Sequence, residues 1–388
     1  MITLQTIQKL SKGEPKWLKE KRIHAFEKYK EEKPLLFKYG PAIVVSLQEL
    51  DFEKRNPLEK KDNVFVDAKE AEVLTLEEAL QKEDLKKYFE SKKENKLTFF
   101  HQAFFNNLII IQIPENKLIK NPIKIHSNQQ SDSRIEYIFI IANQNSKATI
   151  QEIATSSKSK DQKFKSHVIH IIAKENASIT YCAFQHLGKE VINHTKRYAH
   201  ISKDAEVMWI TESSGAAWSQ EHTKSYLLES GAKSQMNGLI LGDKNQVFDS
   251  YTSCKHQASR TKSDLITKII LNDQAKATYQ GQIKIQKDAK KCNGSQSEHT
   301  LLLSKDAKIN AVPFLEIENN DVVCSHTTSM TQLDKEKLFY LESRGLNSAK
   351  AKQMLIKGFL SPLLKEVKQK EEKKFIKILL NKKIKRIQ

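Results

Sequence analysis

Two short patterns bring thiols and imidazoles together. In Asp321-Val322-Val323-Cys324-Ser325-His326 a cysteine and a histidine stand two residues apart, and Cys254-Lys255-His256 repeats the spacing. On a strand, residues i and i+2 share a face, so each pair can point one way. A thiolate beside an imidazole suits iron or another soft-to-borderline metal. The same pairs also suit a strand-built interior, with cysteine as a small apolar filler and histidine bonded to a neighbouring carbonyl. Cys324 and His326 are the leading candidates for a metal or cluster; Cys254 and His256 are the weaker ones. His167 and His170 fall on opposite faces of a strand, and Trp209 and Trp218 read as packing. Glu316 and Glu318 share a strand face, but no substrate pocket is legible around them.

The motifs of common enzymes are missing. There is no G-x-x-x-x-G-K-[ST], no G-x-G-x-x-G leading into a helix, no G-x-S-x-G and no H-E-x-x-H. With 11 glycines, the chain has few to spend on phosphate-binding loops. Its four cysteines, Cys182, Cys254, Cys292 and Cys324, are widely separated and include no C-x-x-C. That spacing builds neither a disulfide framework nor a self-contained zinc site.

The elements that must position these residues change character along the chain. From Pro15, apolar groups at Leu18, Ala25, Phe26 and Tyr29, with the aliphatic stem of Arg22, follow helical spacing until Glu31-Glu32-Lys33-Pro34 stops them. A second helix is expected over Leu76–Lys92, with Thr75 as its cap and Glu77 and Glu78 in its first turn. Residues 1–96 thus read as a mostly helical region.

Residues 97–332 read as strands. Leu108–Ile113, Ile123–Ile125 and Ile135–Ile141 are short, β-branched runs. Within this stretch a polar-Ala-polar-β-former unit recurs around Ala148, Ala177, Ala205, Ala232, Ala275 and Ala307, in steps of 29, 28, 27, 43 and 32 residues. A quasi-regular period in strand-rich sequence means stacked rungs, and a small residue at a fixed place marks a tight corner. A β-solenoid accounts for this better than a sandwich, which needs no such period.

Helices return over 333–388. Asp334–Arg344 reads as one, ending at a Gly345 cap, and Asn347-Ser348 opens another that carries Ala349, Ala351, Met354, Leu355 and Phe359. The tail from Lys365 to Gln388 is amphipathic and basic, suited either to packing on its own domain or to binding a partner.

Charge and length set outer bounds. The 388 residues carry a formal net charge of +18. Only seven of the 65 basic residues are arginine. Sequence-specific DNA readers favour arginine for guanine, so 58 dispersed lysines argue for a solvated surface rather than a nucleic-acid interface. No run approaches 18 apolar residues, so no transmembrane helix is expected. The N-terminus lacks a secretory signal pattern, which places the expected location in the cytoplasm.

The stretch from Gly281 to Leu360 resembles the SufB/SufD family of iron–sulfur assembly scaffolds. The matching pieces are Tyr279-Gln280-Gly281, Gln296, Leu301-Leu302-Leu303-Ser304 and Ala307, then Pro313-Phe314-Leu315-Glu316-Ile317 and Asp321 to His326. Leu338-Phe339-Tyr340-Leu341, Ser343-Arg344-Gly345 and Ala349 to Phe359 follow in order. Pro15-Lys16-Trp17-Leu18 with Arg22 and Ala25 resembles the family's first helix. Ile317 stands where SufB-like sequences carry a sulfur-accepting cysteine, and Cys324-Ser325-His326 is SufD-like. Thr327-Thr328 departs from the Gly-Ala that usually follows.

The resemblance implies a right-handed parallel β-helix flanked by helical N- and C-terminal regions, acting as a non-catalytic scaffold. It implies a SufB-like partner joined β-helix to β-helix, with homodimerisation as the alternative when the chain is isolated. It also implies a SufC-like ATPase docked on the C-terminal helices through residues such as Leu338, Tyr340, Arg344, Met354 and Phe359. A nascent iron–sulfur cluster or iron, transient and shared with SufB, would meet His326 with Cys324 nearby, and nothing would be bound tightly by this chain alone. No nucleic acid and no membrane are expected as partners. The alternatives are a β-helix protein that binds or cleaves acidic polysaccharide, a general polyanion binder, and a SufB paralogue handling sulfur through Cys254 or Cys292.

Overall fold

The computed structural model describes residues 2–33, 55–59, 62–89 and 95–366, the short strands 36–39 and 43–46, and residue 52. The expected tail helix lies, from residue 367 onward, outside the described residues.

The chain winds into a β-solenoid of two parallel sheets, two strands to a turn. The odd-numbered sheet holds β5 (Asn107–Ile113), β7 (Ser133–Ala142), β9 (Lys163–Ala173), β11 (Val191–Ile201), β13 (Trp218–Leu227), β15 (Val247–His256), β17 (Lys276–Ile285) and β19 (Lys308–Ile317). The even-numbered sheet holds β6 (Ile123–Gln129), β8 (Lys147–Ser156), β10 (Ser178–His186), β12 (Glu206–Ser213), β14 (Lys233–Gly242), β16 (Lys262–Leu271), β18 (Cys292–Leu302) and β20 (Val322–Gln332). Both faces of the early strands are covered, so β7 and β9 are buried at every position rather than at alternate ones.

The corners explain the alanine period and correct its reading. One corner places a residue in the left-handed region on every turn: Asn116, Asn145, Asn176, Asp204, Gly231, Arg260 and Lys291, with φ between 54° and 77°. Asparagine, aspartate and glycine tolerate that conformation best. The Asn145 side-chain amide donates to Asn116 Oδ1 at 2.8 Å, and that of Asn176 donates to Asn145 Oδ1 at 3.1 Å. A small inward residue follows each from Asn145 on: Ser146, Ala177, Ala205, Ala232, Thr261 and Cys292. Ala275 and Ala307 occupy the opposite corner, after Asp273 (φ 54°) and before β19. The step of 43 is therefore one and a half turns. Ala148 lies two residues inside its strand, paired with Ile179.

The N-terminal region mixes helices with short strands, where mostly helix was expected. The expected first helix is present: α2 (Lys16–Glu31) buries Leu18, Arg22, Ala25, Phe26 and Tyr29. Arg22 is buried whole, bonded to Glu14 at 2.7 and 2.8 Å and to the carbonyls of Ala103 and Phe105. Thr75 and Glu78 form the capping box of α3 (Leu76–Lys82). That helix stops ten residues before the expected Lys92. After the break at Glu83 a 3₁₀ turn over Lys86–Phe89 follows, which seats Leu85 and Phe89 in the core. Next comes α4 (Lys96–Phe104), so the first parallel strand begins at Asn107 rather than near Leu97. Phe26, Phe89, Phe100 and Phe104 pack on Tyr137, Phe139 and Phe164 of the odd sheet's outer face. Two strands, β3 (Asn63–Asp67) and β4 (Glu72–Leu74), pair antiparallel with β6 and β5 and close the N-terminal edges of both sheets.

At the other end, α5 (Lys335–Ser343) starts on an Asp334 cap and ends before Gly345 at φ 88°. The following α6 (Ser348–Glu366) buries Ile356 and Leu360 against the outer face of the even sheet.

Candidate functional site at the open end of the solenoid

The two last strands, β19 and β20, are terminal in their sheets, and among the described residues nothing pairs with their outer edges. This differs from the N-terminal end, which β3 and β4 cover. Phe314, Ile317, Val323 and Met330 stand exposed here, Val323 at 67% and Met330 at 63%. A free edge of ten or eleven residues with exposed apolar side chains is a template for pairing with another chain.

Cys324 and His326 lie on this last strand. Cys324 packs against the solenoid's interior cluster, so the i, i+2 alternation aims His326 inward too. Cys324 is half-buried and His326 exposed, because no further rung covers them. In register, Gly294 underlies Cys324, Gln296 underlies His326 and Glu298 underlies Thr328. Burial pushes the Cys324 thiol up, a backbone hydrogen bond from Gly294 partly offsetting it. Among the described residues no group of three or more His, Cys, Asp or Glu is arranged to hold a metal ion.

The weaker pair sits in a different setting. Cys254 and His256 do share a face, but it is the fully covered interior face of β15. Burial pushes the Cys254 thiol up to about 12. His256 is held by Thr261 Oγ1 at 2.7 Å and Ser263 Oγ at 2.8 Å, leaving neither ring nitrogen open. Burial brings it down to about 4. Both residues serve the core in this arrangement. Cys292 fills the corner above Thr261, with its sulfur 3.2 Å from Thr261 Oγ1.

Sequence reasoning missed a chain of charges inside the solenoid. Arg134, Glu136, Glu152, Lys165, His167, Arg197 and Glu221 are all buried and inward-facing. Arg197 meets Glu221 at 2.7 Å, His167 meets Glu152 at 3.1 Å, and Tyr181 donates to Glu152 at 3.0 Å. Burial works against the Glu136 carboxylate, yet Arg134 and His167 outweigh it and hold it at about 2. The available signal was parity, since Lys165 and His167 are in phase with the inward Ile169 and Ile171.

The helical residues singled out earlier divide in two. Tyr340 and Met354 are largely exposed, Arg344 caps α5 with its guanidinium 5.2 Å from the Tyr340 ring, and Leu338 is half-buried. With Leu301, Leu333 and Leu341, the first two line an apolar groove between α5–α6 and the end of the even sheet. Phe359 instead faces the solenoid, where Lys268 Nζ lies 4.3 Å from its ring centre and donates to its carbonyl at 2.7 Å.

Residues 125–359 match the family described as SUF system FeS cluster assembly, SufBD core domain. An iron–sulfur cluster assembly SufBD family protein of Staphylococcus aureus (strain USA300) is 25% identical over 317 residues, covering 80% of this chain and 66% of the relative. The corresponding protein of Staphylococcus haemolyticus (strain JCSC1435) is 26% identical over 315 residues, with the same coverage. The chain thus spans just under two thirds of the length of these relatives. The family match takes in well over half the chain, from the second strand of the solenoid to α6, and the chain belongs to the SufBD core family of iron–sulfur cluster assembly proteins.

Proposed function

We propose that this chain is a non-catalytic, SufD-type scaffold subunit of a cytoplasmic iron–sulfur assembly complex. The observation that carries the reading is the open end: two unpaired strands, with Cys324 and His326 on the last one. A SufB-like subunit would cover that end with its own terminal strands. The nascent cluster or iron, the cargo of the system, would then sit between the two chains, with His326 and Cys324 supplying this side. A two-donor half-site needs a second half-site, which accounts for the incomplete donor set. Ile317 in place of a cysteine supports the SufD-type assignment, because sulfur handling then falls to the partner.

An ATPase subunit would dock on α5 and α6, where Tyr340 and Met354 are exposed beside an apolar groove. Such a division of labour fits a chain with no phosphate-binding loop. Its closing of the two docking helices would pull on the solenoid ends and expose the half-sites to iron and sulfide.

The test is His326→Ala in the co-expressed complex, purified without oxygen. The proposal expects partner capture to be unchanged and visible iron–sulfide absorbance to be lost. Unchanged absorbance removes His326 from the site.

A further inference from the structure

The rung beneath His326 carries a packing defect. On the inward face of β18, Gln296 is 3% exposed and Glu298 1% exposed. Neither amide atom of Gln296 has a hydrogen-bond partner, and Glu298 Oε2 has none. The other Glu298 oxygen accepts from Thr300, two residues along the same strand. Buried polar atoms without partners are destabilising, and an apolar side chain of the same shape would pack better. Gln296 has little freedom to escape, since a Cβ on the facing Gly281 would overlap its amide nitrogen. Burial raises the Glu298 carboxyl, as expected where no cation stands beside it.

What lies next to this defect gives it a use. His326 is the register partner of Gln296, on the same inward face of the adjoining strand. Neighbouring strands stand about 4.8 Å apart, so the two side chains project side by side from adjoining strands. A ligating imidazole needs its second nitrogen held to fix its tautomer and direction. Glu298, two residues along on the same inward face, carries the other unpartnered atom of this rung.

We propose that Gln296, backed by Glu298, is the positioning residue for His326: it bonds the second ring nitrogen when a partner's strand covers the end. The inference rests on the reading of His326 given above.

The test uses Gln296→Met and Glu298→Gln in the full co-expressed complex. Gln296→Met removes the unpaired amide. The isolated chain should therefore melt about 2–4 °C higher, while partner capture is retained and cluster yield falls about tenfold. Glu298→Gln takes away the charge that backs the Gln296 amide and should lower cluster yield in the same direction, by less than Gln296→Met. Gln296→Met at full yield overturns the inference alone. A lower melting temperature with yield falling in step with folded protein makes Gln296 structural and also overturns it. A wild-type complex that captures its partner but assembles no cluster overturns the site reading and the inference with it.

Discussion

Lowering the pH from 7 to 5 should remove a large share of this protein's stability, and the cause can be located residue by residue. His101, His170, His194 and His200 lie between the N-terminal helical region and the outer face of the odd sheet, and His256 lies inside the solenoid. His101 and His194 share the hydroxyl of Ser166, at 2.7 and 3.0 Å, and His170 meets His200 at 3.3 Å. Burial pulls all five below the ordinary value of 6.5, His200 and His256 to about 4 and the other three well below 6.5. Lys196 lowers His101 and His194 further, and Lys87 lowers His200. A base with a depressed folded-state pKa is neutral in the fold, while the unfolded chain takes up its proton. Its contribution is therefore complete above pH 6.5 and is lost as the pH falls towards 4. For a shift from 6.5 to about 4, each histidine costs about 2 kcal/mol between pH 7 and pH 5. His200 and His256 together approach about 4 kcal/mol, a large share of the stability of a typical domain, and the other three act in the same direction. Glu298 acts in the opposite direction, but it is a single group. Urea titrations at pH 7.5, 6.5, 5.5 and 5.0 would measure the slope, and His200→Phe, which keeps the ring stacked on Tyr226, should remove about 2 kcal/mol of it. A flat unfolding free energy from pH 7.5 to 5.5 would refute the reasoning.

Three further outcomes can be checked by denaturation or proteolysis. Glu221→Gln leaves the Arg197 guanidinium buried without its counter-charge and should cost about 3–5 kcal/mol. Asn176→Ala removes the polar side chain that makes φ 57° tolerable and breaks the side-chain ladder, costing about 1–2 kcal/mol, while Asn176→Gly, with no Cβ, should cost less. Lys268→Met removes the hydrogen bond and ring contact that fasten α6 to β16. Limited proteolysis between α5 and α6 should then accelerate, for a local loss of about 1–2 kcal/mol.

Much of this fold was legible where local chemistry and tertiary demand agree. Leu108–Ile113 and Ile135–Ile141 read as strands because both their faces are covered. Thr75 with Glu78, Asp334, and Gly345 marked helix ends because caps satisfy groups the helix itself leaves unpaired. The alanine period announced a solenoid but not its two corners, because Ser146, Thr261 and Cys292 do the same work as alanine. The capping strands Asn63–Asp67 and Glu72–Leu74 were hidden because they answer to the solenoid's edge, a demand absent from their own sequence. At the site, i, i+2 spacing put Cys254 and His256 on one face, and both are buried there. It could not say that one pair would face a closed interior and the other an open end. Gln296 matched the family pattern, but its burial carried no local signal, since a buried amide without a partner looks like any surface glutamine in sequence.

The central claim is that the open end is half of a shared assembly site. Co-expression with SufB-like and ATPase subunits, followed by anaerobic purification through a tag on this chain, measures it most directly. The account predicts a stable complex of all three with iron–sulfide absorbance, and loss of the SufB-like subunit when Val323→Lys and Met330→Lys charge the open edge. Full capture by the charged variant, or a well-folded wild-type chain that captures neither partner, would contradict it.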